Sequence, residues 1–410
     1  MEETQETPQG FEGLGINDVF MQALARLKFS TPTPIQHKAI PVALANEDII
    51  GIAQTGTGKT VAFGVPMLQR LFERRGGLGL VILPTRELAL QVNEALKTLG
   101  DSLGLRTAVL IGGEGMGKQL HQLSRKPNVV IATPGRLLDI VSEGKFSIAL
   151  TTILVLDEAD RMLDMGFAPQ IRRILALLPP PQERQTLLFS ATMPDDIVTI
   201  ATEQMRMPVR VEVAPAGTAA EKVEQEMYIV RKEDKVALLD ELLKSHEGSA
   251  LIFSRTKHGA KRLAKQLNDL GHRAGEIHAN KSLVQRIAAL NDFKQGRIRA
   301  LVATDIAARG IDVTGIGLVV NFDLPDSSQD YVHRIGRTGR AGREGKAISL
   351  ATPDQRRDIR DIERLIRRPL PIAKHERLSA QMHEVPAAQR GIRGGRRRSF
   401  PRKPRFAQRR

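Results

Sequence analysis

The chain has 410 residues, 41% of them hydrophobic, which suits two or three domains with cores of ordinary size. It has no cysteine, which excludes disulfides, thiolate metal sites and cysteine nucleophiles, and no apolar run of the ~18 residues that a spanning helix requires. The net charge of +15 is uneven: residues 375–410 hold eleven Arg and Lys against Glu376 and Glu384, a net +9, so a mildly basic body carries a polycationic tail.

Met1 to Gly10 is polar and acidic, without the basic start and apolar stretch of a secretory signal, and a cytoplasmic protein is expected. Short apolar runs then alternate with helical patterns. Asp48–Gln54, Leu80–Pro84, Val129–Ala132, Ile153–Leu156 and Leu187–Phe189 read as strands buried on both faces. Glu87–Leu99 and Pro169–Leu178 have apolar residues at helical spacing. Such alternation predicts an α/β protein with parallel sheets.

After Pro208–Val213 comes a stretch of small, polar residues from Ala214 to Glu221, which reads as a linker. The alternation restarts with strands at Ala250–Phe253, Ala300–Ala303 and Gly317–Asn321 and a helix over Ala260–Leu270. Past Pro369–Pro371 the chain is rich in Arg, Gly and Pro, and is expected to be disordered when free. The expected organisation is an N-terminal domain at 1–213, a linker at 214–222, a C-terminal domain at 223–372 and a basic tail at 373–410. The histidines are scattered. His272 and His278 lie six apart with no further ligand beside them, so no zinc site is expected.

Ala53-Gln54-Thr55-Gly56-Thr57-Gly58-Lys59-Thr60 follows a predicted strand and opens a predicted helix, the context of a phosphate loop. Gly56 and Gly58 let backbone N–H groups approach phosphate oxygens, and the helix start adds a favourable dipole. Lys59 is expected to reach the terminal phosphates of a nucleotide, and the Thr60 hydroxyl to ligate Mg²⁺. Asp157-Glu158-Ala159-Asp160 follows the strand Ile153–Leu156 directly. Asp157 is the candidate second Mg²⁺ contact, and Glu158 the group that orients and deprotonates water.

In the second half, Tyr331–Arg340 sets four basic side chains among glycines. Arg337 and Arg340, three apart, would share a face if they lay on one helical turn. From the residues alone they read equally as arginine fingers on a transferring phosphoryl group or as a nucleic-acid patch.

Together these strings resemble the DEAD-box family of RNA helicases over roughly residues 11–370, and their bacterial RhlE-like members in particular. The motifs stand in the family's order: the phosphate loop, Pro84–Ala89, Gly112-Gly113, Thr133–Arg136, Asp157–Asp160, Ser190–Thr192, Leu251–Thr256, Ala303–Asp312 and His333–Arg340. The resemblance implies two tandem RecA-like domains with ATP and RNA bound between them, and makes Arg337 and Arg340 arginine fingers. It implies adenine recognition by Gln36, with Phe29 and the isolated Phe11 as aromatic contacts, although Lys28 stands where the family has Gly. It implies RNA contacts at Arg86, Gly113, Thr133, Arg136, Arg255 and Thr304, and a ribose contact at Asp305. Asp160, Ser190, Thr192 and His333 would couple ATP state to closure of the domains. Such RNA contacts are sequence-independent, and the tail should add salt-dependent affinity for phosphates.

Overall fold

In a computed structural model of the chain, the described residues are 10–53, 56–74, 76–213, 223–305, 316–339 and 345–373. The expected linker and all but the first residue of the tail lie outside them, as do Gln54, Thr55 and Arg340.

Two parallel sheets organise the chain. The first is built from β1 Ile49–Ile52, β2 Leu78–Ile82, β3 Thr107–Leu110, β4 Val129–Ala132, β5 Thr151–Asp157, β6 Gln185–Ser190 and β7 Val209–Glu212. Its spatial order is β3-β4-β2-β5-β6-β1-β7, with Ile49 opposite Leu187 and Ile153 opposite Gln185. The second sheet is built from β8 Val223–Ile229, β9 Ala250–Phe253, β10 Ala274–Ile277, β11 Ala300–Ala303, β12 Leu318–Asn321 and β13 Gly345–Ala351, in the order β10-β11-β9-β12-β13-β8.

Continuous apolar strands are needed because helices cover both faces of each sheet. In the first sheet Val81, Ile153, Val155 and Phe189 enter one core, while Leu80, Ile82, Leu154 and Leu156 enter the other. Burying each such side chain contributes about 1.5–3 kcal/mol. β7 and β10 escaped the sequence reading because Arg210, Glu212 and Glu276 interrupt their apolar pattern.

The helices start where local chemistry caps them. Thr85 Oγ1 accepts from Leu88 N (3.3 Å) at the start of Arg86–Gly100, and Thr256 Oγ1 accepts from Gly259 N (3.0 Å) at the start of Lys257–Asp269. Ser282 and Gln285 form a capping box ahead of Leu283–Lys294. This last helix joins the domains: Leu283 and Ile287 pack into the core cluster of the first domain, and Arg286 Nη2 lies 2.7 Å from Glu87 Oε1. Among the described residues no helix is long and apolar enough to cross a membrane.

Candidate nucleotide and nucleic-acid site

The phosphate loop runs from β1 into the helix Lys59–Glu73. Gly58 caps that helix at φ +92°, a left-handed conformation, and a Cβ there would run into Gln36 Nε2. Only glycine meets both demands. Gln36 is buried and already holds the loop, with Nε2 donating to Gly58 O (3.0 Å) and Oε1 accepting from Thr33 N (2.9 Å). Ala53, the loop's first residue, is buried, and its N–H donates to Ser190 O (3.0 Å). Phe29 is exposed. Phe11 is buried with 3% exposure inside the first core cluster. Lys28, where the resemblance expected Gly, adopts a left-handed backbone conformation at φ +61°.

Lys59 Nζ sits 3.7 Å from Asp157 Oδ1, both side chains buried. Burial pushes the Asp157 carboxyl up to about 6, and Lys59 only partly offsets this. Glu158 takes a left-handed backbone conformation at φ +54°, uncommon for a residue with a Cβ. Burial works to raise its carboxyl, but Arg161, Lys59 and Arg337 outweigh that and hold it at about 2. Arg161 pairs directly with Glu158.

Asp160 ties this strand end to the next. Its Oδ2 accepts from Ala191 N (3.1 Å), Thr192 N (2.9 Å) and Thr192 Oγ1 (2.8 Å), while its own N–H donates to Ser190 Oγ (3.2 Å). The second domain comes to the same place. Burial, helped by Arg161 and Arg337 and opposed by Asp160, pushes the His333 imidazole down to about 4, so it is neutral at pH 7. A narrow crevice there is lined by Arg161 of the first domain and by Phe253, Asp305, His333, Arg334 and Arg337 of the second. Arg337 does not lie on a helical turn. The helix Ser328–Ile335 ends before Arg337, with Gly336 as its C-cap, so a turn rather than a helix face presents Arg337.

Arg334, to which the sequence reading gave no role of its own, is among the largest fully buried side chains. It grips both Asp305 oxygens, Nε to Oδ1 at 2.5 Å and Nη2 to Oδ2 at 2.6 Å, and Nη1 donates to Asp323 O (2.6 Å). In sequence it was one cation of a basic run. Arg161 had a clearer signal, standing three residues after Glu158, where a helix start brings opposite charges together.

The expected RNA residues divide between two places. A pocket of about 450 Å³ is lined by Arg86, Thr133 and Arg136 of the first domain and by Lys281 and Arg286 of the second. Gly113 supports it at φ +77°, where a Cβ would strike the Arg86 guanidinium. Thr133 is the N-cap of the helix Pro134–Ser142, and Arg136 Nη1 donates to Glu114 O (3.1 Å). Arg255 lies apart from this pocket: its N–H donates to Asp323 Oδ2 (3.0 Å) and its Nη2 to Leu324 O (3.2 Å). Thr304 follows β11 and donates its N–H to Ile277 O (3.2 Å).

Two parallel-sheet domains with a phosphate loop, an acidic strand end and basic residues facing it across the junction define a two-domain RecA-like nucleotide phosphohydrolase. The family models agree: residues 33–200 match the DEAD/DEAH box helicase and 234–342 the helicase conserved C-terminal domain. The ATP-dependent rRNA helicase RRP3 of Yarrowia lipolytica is 44% identical over 355 residues, 86% of this chain and 74% of that protein. The DEAD-box ATP-dependent RNA helicase CshA of Geobacillus kaustophilus is 42% identical over 87% of this chain and 77% of that protein. The chain belongs to the DEAD/DEAH box helicase family. Among solved structures, the DEAD-box helicase Mss116 bound to ssRNA and UDP-BeF superposes with a TM-score of 0.82 at 28% identity, over 93% of this chain and 82% of that one. A DEAD box protein from the hyperthermophile Methanococcus jannaschii is 37% identical over 89% of this chain and 99% of that one, at a TM-score of 0.54.

Proposed function

We propose that the chain is an ATP-dependent RNA helicase that couples RNA-stimulated ATP hydrolysis to closure of its two domains and to local separation of short duplexes. The observation that carries this is the meeting of halves: Arg337 and His333 of the second domain lie within electrostatic reach of Glu158 and Asp160 of the first. A site divided this way is complete only when the domains close. The better superposition on an RNA- and nucleotide-bound relative than on a more identical protein supports a closed placement of the domains.

In this reading Lys59 holds the terminal phosphates, and Gln36, with Phe29 at its side, recognises adenine through an amide that both donates and accepts. Phe11 acts by buttressing the first core. The Thr60 hydroxyl and the Asp157 carboxylate are hard oxygen donors, and a buried carboxylate raised to about 6 beside one lysine suits an added cation. Mg²⁺, when bound, neutralises charge on the phosphate oxygens. Glu158, ionised throughout the working pH range, accepts a hydrogen bond from water and orients it; as so weak a base it takes a proton only as charge develops. Arg337, with Arg340, offsets negative charge on the transferring phosphoryl group. Asp305 holds the ribose, braced by Arg334.

RNA lies along Arg86, Gly113, Thr133, Arg136, Arg255 and Thr304, through phosphate and sugar contacts that carry no sequence preference. Asp160, Ser190, Thr192 and His333 transmit the nucleotide state between the domains. The absence of cysteine is in keeping with the cytoplasm. The test is steady-state ATP hydrolysis with no nucleic acid, with single-stranded RNA and with single-stranded DNA, using Glu158→Gln as the control. Stimulation by RNA that the variant loses supports the proposal; equal stimulation by DNA sinks its RNA preference.

A further inference from the structure

The helix Lys257–Asp269 carries Lys257, His258, Lys261, Arg262 and Lys265, all exposed, and its first acidic residue is Asp269 at the far end. Its buried face needs none of these charges: Ala260, Leu263, Ala264 and Leu267 supply the packing. Positions 258, 261, 262 and 265 form one stripe. Lys257 with Lys261 and Lys261 with Lys265 are like-charged pairs at four-residue spacing, which weaken a helix. Lys257 also opposes the helix dipole at its positive end. Among the described residues none of Lys257, Lys261, Arg262 and Lys265 holds an ion pair that would offset this repulsion.

Beside the stripe runs a groove of about 770 Å³ lined by Arg231, Lys232, Arg255, Arg262 and Gln266. Asp323, one of its few carboxylates, is already engaged by Ser254 Oγ, Arg255 N–H and Lys235. The groove lining holds five Arg and Lys against Glu233, Asp323 and Asp354, so it is net positive, and Arg255, paired with Asp326 (3.3 Å), borders both it and the expected RNA path.

We propose that this stripe and groove form a second RNA-phosphate track, which holds the part of the RNA that extends beyond Arg255. From 258 to 265 the stripe spans about 10 Å, room for about three phosphates of one strand at ~3.4 Å each. The track rests on the RNA reading above and lies outside the ATP site.

The experiment uses the full chain carrying Lys261→Gln, Arg262→Gln and Lys265→Gln together. RNA affinity is measured from low to physiological salt for a short single strand that saturates the ATPase, and for the same strand extended by a duplex arm. For the extended RNA, affinity should fall about tenfold and the slope of log affinity against log salt should drop by about 2, three contacts at ~0.7 each. Affinity for the short strand and the RNA-saturated ATPase rate should stay as in the parent. The melting temperature should not fall, since the substitutions relieve repulsion. An unchanged slope with the extended RNA overturns the track and leaves the stripe to an acidic protein partner. Equal losses on both RNAs overturn it too. A parent that the short strand does not stimulate overturns the RNA reading itself, and the track with it.

Discussion

Replacing Asp160 with Asn keeps the side chain's shape and removes one charge, in a place where every neighbour is a donor. Oδ2 accepts three hydrogen bonds, from Ala191 N, Thr192 N and Thr192 Oγ1, and Oδ1 accepts from Arg161 N at 2.9 Å. An amide has one oxygen, so in either orientation its NH₂ must face a donor. Asp160 is 4% exposed, and water has little room to repair the mismatch. A hydrogen bond to a charged group contributes about 1.5–3 kcal/mol, and a buried donor left unmade costs about 1–3 kcal/mol. Part of this is recovered as the backbone shifts, so unfolding of the first domain in urea should lose ~3 kcal/mol. RNA stimulation of the ATPase should fall more than nucleotide affinity, because the phosphate contact proposed for Lys59 and the Mg²⁺ contact proposed for Asp157 lie outside this network. A variant that unfolds with the parent and keeps full RNA stimulation would refute the reasoning.

Gly113→Ala forces the Arg86 guanidinium out of place, and single-stranded RNA affinity should drop about tenfold, the loss of one good contact, while ATP affinity in the absence of RNA holds. His333 predicts a pH effect with a defined sign. Its folded value of about 4 lies below the usual imidazole value of 6.5, so the stabilisation of the neutral form is complete above pH 6.5 and is lost as pH falls towards 4. RNA affinity measured with a non-hydrolysable ATP analogue should weaken over that window, and His333→Gln should remove part of the dependence; overlaid profiles would contradict the assignment. Lys28→Gly relieves a left-handed turn and should stabilise the chain by up to ~1 kcal/mol in thermal unfolding, partly offset by glycine's freedom in the unfolded state.

The sequence made the first domain's central features legible because its chemistry is local. A phosphate loop needs a strand before it and a helix after it, and β1 and Lys59–Glu73 supply them within a dozen residues. The acidic tetrapeptide likewise follows β5 directly. Hidden were the partners supplied by tertiary packing. Arg334 gripping Asp305, and Glu87 meeting Arg286 across the domains, join residues that no periodicity connects. Leu283, on a helix of the second domain, packs into the core of the first. For Phe11 and Arg337 the residue types alone were suggestive, while burial and the early helix end at Ile335 decide what those side chains can reach.

The central claim is that ATP and RNA share one closed state. Linkage requires that if an ATP analogue tightens RNA binding by some factor, RNA tightens analogue binding by the same factor. The direct measurement is the pair of dissociation constants for each ligand, with and without saturating amounts of the other. The account predicts matching factors, on the order of tenfold or more, that vanish together in His333→Gln. Factors of one would contradict it, since two ligands that ignore each other do not share a closed cleft.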